Sequence, residues 1–324
     1  MAEIINTSLT WSQEDARRYF LQPLFVSNNE LDWFDVMTDI SGTSIVLDKY
    51  NAIKDITKAQ TLACFAADET DTENNVNVTL SLDRLEVEHK QSAFSLYNHI
   101  KSSLMKKGIS RNDLTGTLLM EIVSQMLMGG ISRDFSTLLW FGDKTLGAGT
   151  QALTDGIWDA CNGIAAGQQV ASTGVAITDL ASLMVARTNE LAASEQVMFV
   201  SREFADDYRA ELVVSGQGHT SAYADLQGGI NNLQYNGIPM IVKPDWDVNI
   251  AQYGATLPSA APSAVTAGKA VMLLAKDAVA IGTDWDIQDV DMWYNRDCKE
   301  NRFRMNYSFG CALKDTSLCA TITE

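Results

Sequence analysis

The three histidines are the first residues that could carry chemistry. His89, His99 and His219 are far apart, and none has a second histidine within about five residues, the spacing that would set two imidazoles on one helix face as a metal pair. His219 lies in the run Gly216-Gln217-Gly218-His219-Thr220-Ser221. That run is similar to a dinucleotide fingerprint, but Ser221 stands where its third glycine is required, so it reads as a glycine-rich surface loop. Neither a GxxxxGK[ST] phosphate cradle nor a GxSxG nucleophile elbow occurs. The acidic run Asp284, Asp286, Asp289 and Asp291 lacks the glycine and closing glutamate of a calcium loop, because the twelfth position is Asn295. It reads as a solvated strand edge whose charges discourage wrong pairing. The five cysteines, Cys64, Cys161, Cys298, Cys311 and Cys319, contain no CxxC pair and no zinc spacing. They are expected to be buried or incidental thiols in a reducing compartment. Met120, Met126 and Met128 read as core filler, and Lys101, Lys106, Lys107 and Arg111 as cations suited to a helix end. The residues therefore assemble no catalytic set, cofactor cradle or metal site, and the chain is expected not to be an enzyme.

The function has to be read from the elements and from the bulk of the chain. Its 324 residues suggest about two domains. Hydrophobic residues make up 46% and charged residues 20%, enough apolar material for a real core. With 41 acidic against 24 basic side chains, the net charge of -17 repels both a phosphate backbone and an anionic membrane. The first residues lack the basic region and apolar core of a secretory signal, and no apolar run is long enough to span a bilayer.

Along the chain, residues 1–40 read as an arm. Trp11, Tyr19, Phe20, Trp33 and Phe34 are large apolar groups on a segment broken by Pro23 and by the Ser27-Asn28-Asn29 turn. Such a segment cannot bury its aromatics alone. Residues 41–90 read as an extended β-ribbon. Thr43–Leu47 is β-prone, residues 61–66 add a further candidate strand, and an acidic tip follows that includes Asp68, Glu69, Asp71 and Glu73. Val76, Val78, Leu80 and Leu82 then alternate with polar residues, while Leu85 and Val87 continue one residue out of phase, which predicts a bulge or bend near Asp83-Arg84. A two-stranded ribbon has too little core of its own and needs a partner surface.

Residues 91–145 turn helical. A first helix is expected over about 92–107 and a long one from about 112 to Phe141, roughly 40 Å at 1.5 Å per residue, ended by Gly142. Residues 146–290 alternate helix and strand. Leu153, Ile157 and Trp158 open an apolar segment, and Thr178 or Asp179 caps a helix with Leu180, Leu183, Met184 and Leu191 on its face. Val197–Val200 and Val271–Ala275 read as buried strands. Ser201 caps a helix carrying Phe204, Tyr208 and Leu212, and Asn236-Gly237 is a type I′ hairpin turn. Pro239 places the return arm at an edge or at a position that does not donate to the ladder. Residues 251–268 read as a surface loop, and residues 291–324 as closing β structure in which Phe303, Met305, Tyr307 and Phe309 alternate with polar residues.

This order of parts resembles the major capsid proteins of tailed bacteriophages, a fold shared with encapsulins and herpesvirus shells. The likeness rests on the helix ending Ile131-Ser132-Arg133-Asp134-Phe135 through Trp140-Phe141-Gly142, on Asp155-Gly156-Ile157, on Met198-Phe199-Val200-Ser201-Arg202-Glu203, and on the hairpin Tyr235-Asn236-Gly237-Ile238-Pro239-Met240. The resemblance implies an α+β chain. Residues 1–40 would be the N-terminal arm, 41–90 the extended loop, 91–145 a peripheral domain with its spine helix, 146–290 an axial domain, and 291–324 a return strand to the peripheral domain. It implies no cofactor. The partners it implies are copies of the chain itself, in hexamers and pentamers, a separate scaffold or none, portal and decoration proteins, and packaged double-stranded DNA enclosed without sequence-specific binding. The subunit would assemble in the host cytoplasm into a virion capsid. Trp11, Tyr19, Phe20, Asp68, Glu69, Asp71, Glu73, Leu85 and Val87 are the expected inter-subunit contacts. Two rivals stand beside this reading: an encapsulin-like compartment around enzymes, and a cytosolic α/β enzyme with an acidic site.

Overall fold

Two sheets organise the chain, and its most continuous apolar runs build the larger one. The computed structural model describes residues 30–38, 40, 42–50, 75–92, 130–131, 133–146, 149–214, 233–253, 269–284, 290–295, 297–298 and 300–323. The larger sheet has six strands in the order β5-β13-β9-β6-β8-β7. They are β5 (Gln169–Ala171), β6 (Gln196–Ser201), β7 (Gln234–Tyr235), β8 (Ile238–Lys243), β9 (Ala270–Ala275) and β13 (Cys319–Thr323). Every residue of β6, β9 and β13 is buried, as expected of strands that read as unbroken apolar runs and are covered on both faces. The hairpin turn between β7 and β8 holds Asn236 at φ 50° and Gly237 at φ 79°, the pair of positive angles that a type I′ turn demands. Pro239 faces Gln234 of β7, and pairing with β6 begins only at Met240, so its missing N–H costs the ladder nothing.

Helices cover this sheet. The first described helix, α1, occupies residues 130–131 and 133–141 and stops at Gly142. It is followed by α2 (Ile157–Ala160), α3 (Ala176–Ala186), α4 (Asn189–Ala193), α5 (Arg202–Val214) and α6 (Pro244–Tyr253). Ser201 Oγ accepts the Phe204 N–H at 3.4 Å and caps α5, whose Phe204, Tyr208 and Leu212 are buried at helical spacing. The helix expected to run through Leu191 is two helices. Arg187 and Thr188 take extended angles between them, and Thr188 caps α4 by accepting the Leu191 N–H at 3.0 Å. Asp179 does not cap α3. It is buried in its first turn and accepts from Ser172 Oγ and from the Thr173 N–H and Oγ, which holds the preceding loop.

The second sheet has five strands centred on the long β12 (Glu300–Leu313). The strand β4 (Asp83–Ser92) lies along one edge of β12; β10 (Val279–Asp284) and β11 (Val290–Asn295) pair end to end along the other. Beyond β10 lies β1 (Asp35–Thr38), parallel to it. β2 (Ser44–Tyr50) and β3 (Asn75–Ser81) form a separate two-stranded ribbon in antiparallel register. Between β4 and β5 the chain passes from the five-stranded sheet to the six-stranded one; it returns at the Lys276-Asp277 turn between β9 and β10, and it crosses again after β12, whose continuation β13 belongs to the six-stranded sheet. The closing segment therefore serves both sheets, a departure from a simple return to one of them. Further departures are α6, which takes in residues 251–253 of the expected loop; Leu153, which is 49% exposed and not part of the apolar segment; and Ser92, which ends β4 where a helix was expected to begin. Most of the expected spine helix, the first helix and the acidic tip lie outside the described residues.

Candidate functional site

The feature with functional promise is the root of the β2–β3 ribbon, where it sits on the five-stranded sheet. Alternation breaks at Leu82, and the break is a change of sheet. β3 pairs with β2, while β4, starting at Asp83, pairs with β12. The phase shift near Asp83-Arg84 is thus the point where the ribbon leaves the body. Its seat is a pair of glycines. Gly282 of β10 and Gly310 of β12 are register partners, so their missing side chains leave a bare patch on one face. The chain at Ser81-Leu82 uses that patch. A β-carbon at Gly310 would lie 2.0 Å from the Ser81 carbonyl oxygen, and one at Gly282 would meet the tips of Leu82, Ile40 and Leu80 at 2.8–2.9 Å. Around it Ile40, Leu80, Leu82, Ala280 and Ala312 form a small core of their own, with Met37, Leu47 and Val78 against it.

Polar bonds fix the same root. The Leu82 N–H donates to the Thr43 carbonyl at 2.8 Å, closing the ribbon's base. Lys144, just beyond α1, reaches Asp83 at 2.8 Å and Asp155 at 3.5 Å. Partial burial lowers the Lys144 pKa, but the hydrogen bond to Asp83 and the charges of Asp155 and Asp83 outweigh it, and the net shift is upward. The ribbon is unevenly covered near its root. Leu80 is fully buried and Leu47 and Val78 are half-buried on the inner face, but Ile45 on that face is 36% exposed, and Val46 on the outer face is 53% exposed.

A strap made of residues 30–40 ties the ribbon's root to the larger sheet. At its start Glu30 accepts from Lys243 Nζ at 2.7 Å, both side chains 1% exposed, and the same ammonium lies 5.7 Å from the Trp140 ring. Phe34 stacks on Phe199 at 5.6 Å, Asp35 pairs with Lys314, and β1 then joins β10. Trp246 of α6, an element the sequence reading did not find, sits between Trp140 and Trp158 at 4.9 and 5.4 Å and completes the aromatic core beneath the strap.

A cleft of about 210 Å³ opens beside the ribbon's root, lined by Val78, Ser81, Asp155, Asp159, Cys311 and Leu313 among others. The Cys311 thiol in it donates to the Asp155 carbonyl oxygen at 3.2 Å, and burial, reinforced by the Asp155 charge, pushes its pKa up. Among the described residues no three or more His, Cys, Asp or Glu gather in a metal-binding group, and no helix is long and apolar enough to cross a membrane.

Of the expected contact residues, Trp11, Tyr19, Phe20, Asp68, Glu69, Asp71 and Glu73 lie outside the described residues, as do His99 and His219. Leu85 is 7% exposed and belongs to the chain's own main core, so it turns inward and is not offered to a neighbour. Val87 is half-buried opposite Met305 in the β4–β12 ladder. The structure brings the two together on β4 and separates both from the exposed ribbon surface. The glycine seat was missed in the sequence, although glycine inside an alternating strand, as at Gly310, is the signal of a close backbone approach.

No family model matches the sequence, and no curated protein matches it. Solved structures do match in fold. A chain of the satellite phage P4 procapsid, which includes the size determination protein, aligns with 98% of this chain and 92% of its own at TM-score 0.56 and 10% identity. The holo-SrpI encapsulin complex of Synechococcus elongatus PCC 7942 aligns over 97% and 96% at TM-score 0.56 and 10% identity. The capsid of an empty GTA particle aligns over 90% and 87% at TM-score 0.54 and 13% identity. The chain therefore has the α+β fold found in these phage-type capsid and encapsulin shells.

Proposed function

We propose that this protein is a major capsid protein, the shell subunit of a tailed-phage type of head, and that it works by assembly and not by catalysis. The observation that carries this reading is the agreement of fold over almost the entire length with chains of a phage procapsid and of other shells. The ribbon supports it: its root is seated on a bare glycine patch of the body, yet Ile45 and Val46 of β2 stay exposed beside that root, as suits an element that finishes its packing on a neighbour. Copies would gather into hexamers and pentamers, because repeated heterologous contacts close into rings and many modest interfaces add up to a stable shell. The net charge of -17 suits a wall that encloses DNA without adhering to it. Assembly in a host cytoplasm, with separate scaffolding, portal and decoration proteins, belongs to the same proposal, as does the division into arm, extended loop, peripheral domain and axial domain. The encapsulin match favours one second reading, a compartment around protein cargo.

Electron microscopy of the expressed protein, alone and with a candidate scaffold, tests the proposal. Closed shells with pentamers at five-fold vertices and hexamers between them are expected, and nuclease-protected DNA inside particles from infected cells separates a phage head from a cargo compartment. Deleting residues 68–75 is expected to leave soluble subunits that no longer close. A wild-type chain that stays a compact monomer at assembly concentrations would overturn the reading.

A further inference from the structure

Three of the five cysteines, scattered in sequence, converge in the folded chain. Cys161, in the turn that follows α2, and Cys319, the first residue of β13, are 158 positions apart, yet their sulfurs are 3.2 Å apart in the core. Both are fully buried. Cys311 is near enough to Cys161 to feel its charge, but its own thiol is engaged with the Asp155 carbonyl oxygen. A metal would need a third ligand, and no such group forms among the described residues. We propose that Cys161 and Cys319 are a disulfide-forming pair, a covalent staple that locks the last strand of the six-stranded sheet to the α2 segment once the protein meets an oxidising environment.

The geometry asks for little. A bond of about 2.05 Å requires the sulfurs to close by roughly 1.1 Å, within reach of small side-chain rotations. The oxidant is a small-molecule disulfide. The Cys161 thiolate attacks one of its sulfurs and releases a first small thiol, and the Cys319 thiolate then attacks the mixed disulfide at Cys161 and releases a second. The two protein thiols give up two protons and two electrons, and the oxidant is reduced to two thiols. The hydrogen bond with Cys319, and then burial, hold the Cys161 pKa high, so attack is slow while the core is closed and a small-molecule oxidant needs a local opening. The α2 segment is suited to open first, because it has a single helical turn and Gly163 beside it is exposed. This inference does not depend on the proposed shell function.

The test is equilibration of the full chain in glutathione redox buffers, approached from the reduced and the oxidised side, with urea below the unfolding transition to allow access. Alkylation, intact mass and peptide mapping then read the thiols. A Cys161–Cys319 crosslinked peptide, two alkylatable thiols fewer, and a melting temperature several degrees above the reduced form are expected. Cys311→Ser is expected to keep the crosslink, whereas Cys161→Ser and Cys319→Ser each remove it. Five free thiols under oxidising conditions in the wild-type chain, or a dominant crosslink through Cys311, would overturn the proposal.

Discussion

Replacing Gly310 by alanine adds one methyl group where the ribbon meets the body. The new β-carbon would sit 2.0 Å from the Ser81 carbonyl oxygen, and ordinary contact begins at 3.4 Å, so the ribbon's root must lift by about 1.4 Å or β12 must sink. Neither is easy. Gly310 lies inside β12 with Gly282 opposite on β10, and the obstacle is backbone, which cannot rotate away as a side-chain tip can. Overpacking of this kind costs about 1–3 kcal/mol. The unfolding entropy is about 2.1 cal/mol/K per residue, roughly 0.7 kcal/mol/K for the whole chain, so the melting temperature is expected to fall by about 2–4 °C. Gly282→Ala is expected to cost less, because it meets only the flexible ends of Leu82, Ile40 and Leu80. Gly167→Ala, with nothing within 4 Å, is the control. Differential scanning calorimetry orders the three variants, and electron microscopy scores closed shells. If Gly310→Ala melts with the control and closes shells as the wild type does, the glycine pair is not the ribbon's seat.

The buried Lys243–Glu30 pair gives a second prediction. Lys243→Met removes the ammonium that faces the buried Glu30 carboxylate and is expected to cost about 3–5 kcal/mol in urea unfolding, whereas the double variant Lys243→Met/Glu30→Leu recovers most of that loss. A single variant as stable as the double one would show that the pair is not a buried unit. Tyr307 supplies a pH prediction: burial, with a smaller contribution from the Asp134 charge, pushes its pKa from 10.0 up to about 12. The folded chain therefore holds the phenolic proton more tightly than the unfolded one, and the linked stability, roughly 2–3 kcal/mol, is complete below about pH 10 and lost between about pH 10 and 12. Tyr307→Phe is expected to flatten that alkaline loss, read as urea midpoints across the range.

The sequence revealed those parts of the fold in which one short segment decides its own conformation. Asn236-Gly237 needs two left-handed residues and nothing else, Ser201 caps α5 with its own hydroxyl, and Val271–Ala275 is too apolar to lie anywhere but the centre of a sheet. Parts decided by partners were less legible. Leu85 and Val87 alternate as a half-exposed strand would, but which surface covers Leu85 depends on β4 pairing with β12, more than two hundred residues later in the chain. The helix α6 begins at Pro244 directly after β8, and a proline, which ends a strand as readily as it opens a first helical turn, does not by itself announce a helix. The convergence of Cys161 with Cys319 leaves no trace in spacing, because only the crossover from β12 to β13 brings them together.

That crossover also bears on how a shell subunit of this design would carry load. The ribbon presses on Gly310 in β12; β12 runs on through the Asp315 turn into β13; and β13 lies between β5 and β9 in the larger sheet. Force on the ribbon is thus passed along one continuous stretch of backbone from the smaller sheet into the most deeply buried part of the larger one. The strap adds a second route, from Ile40 beneath the ribbon back through β1 to Phe34 and Glu30 in the main core. A ribbon hung from a flexible loop could rest on a neighbour but could not orient it. In the proposed shell, one rooted in two sheets by backbone, aromatic stacking and a buried ion pair would fix the angle between copies, and a closed shell of defined curvature would depend on that angle.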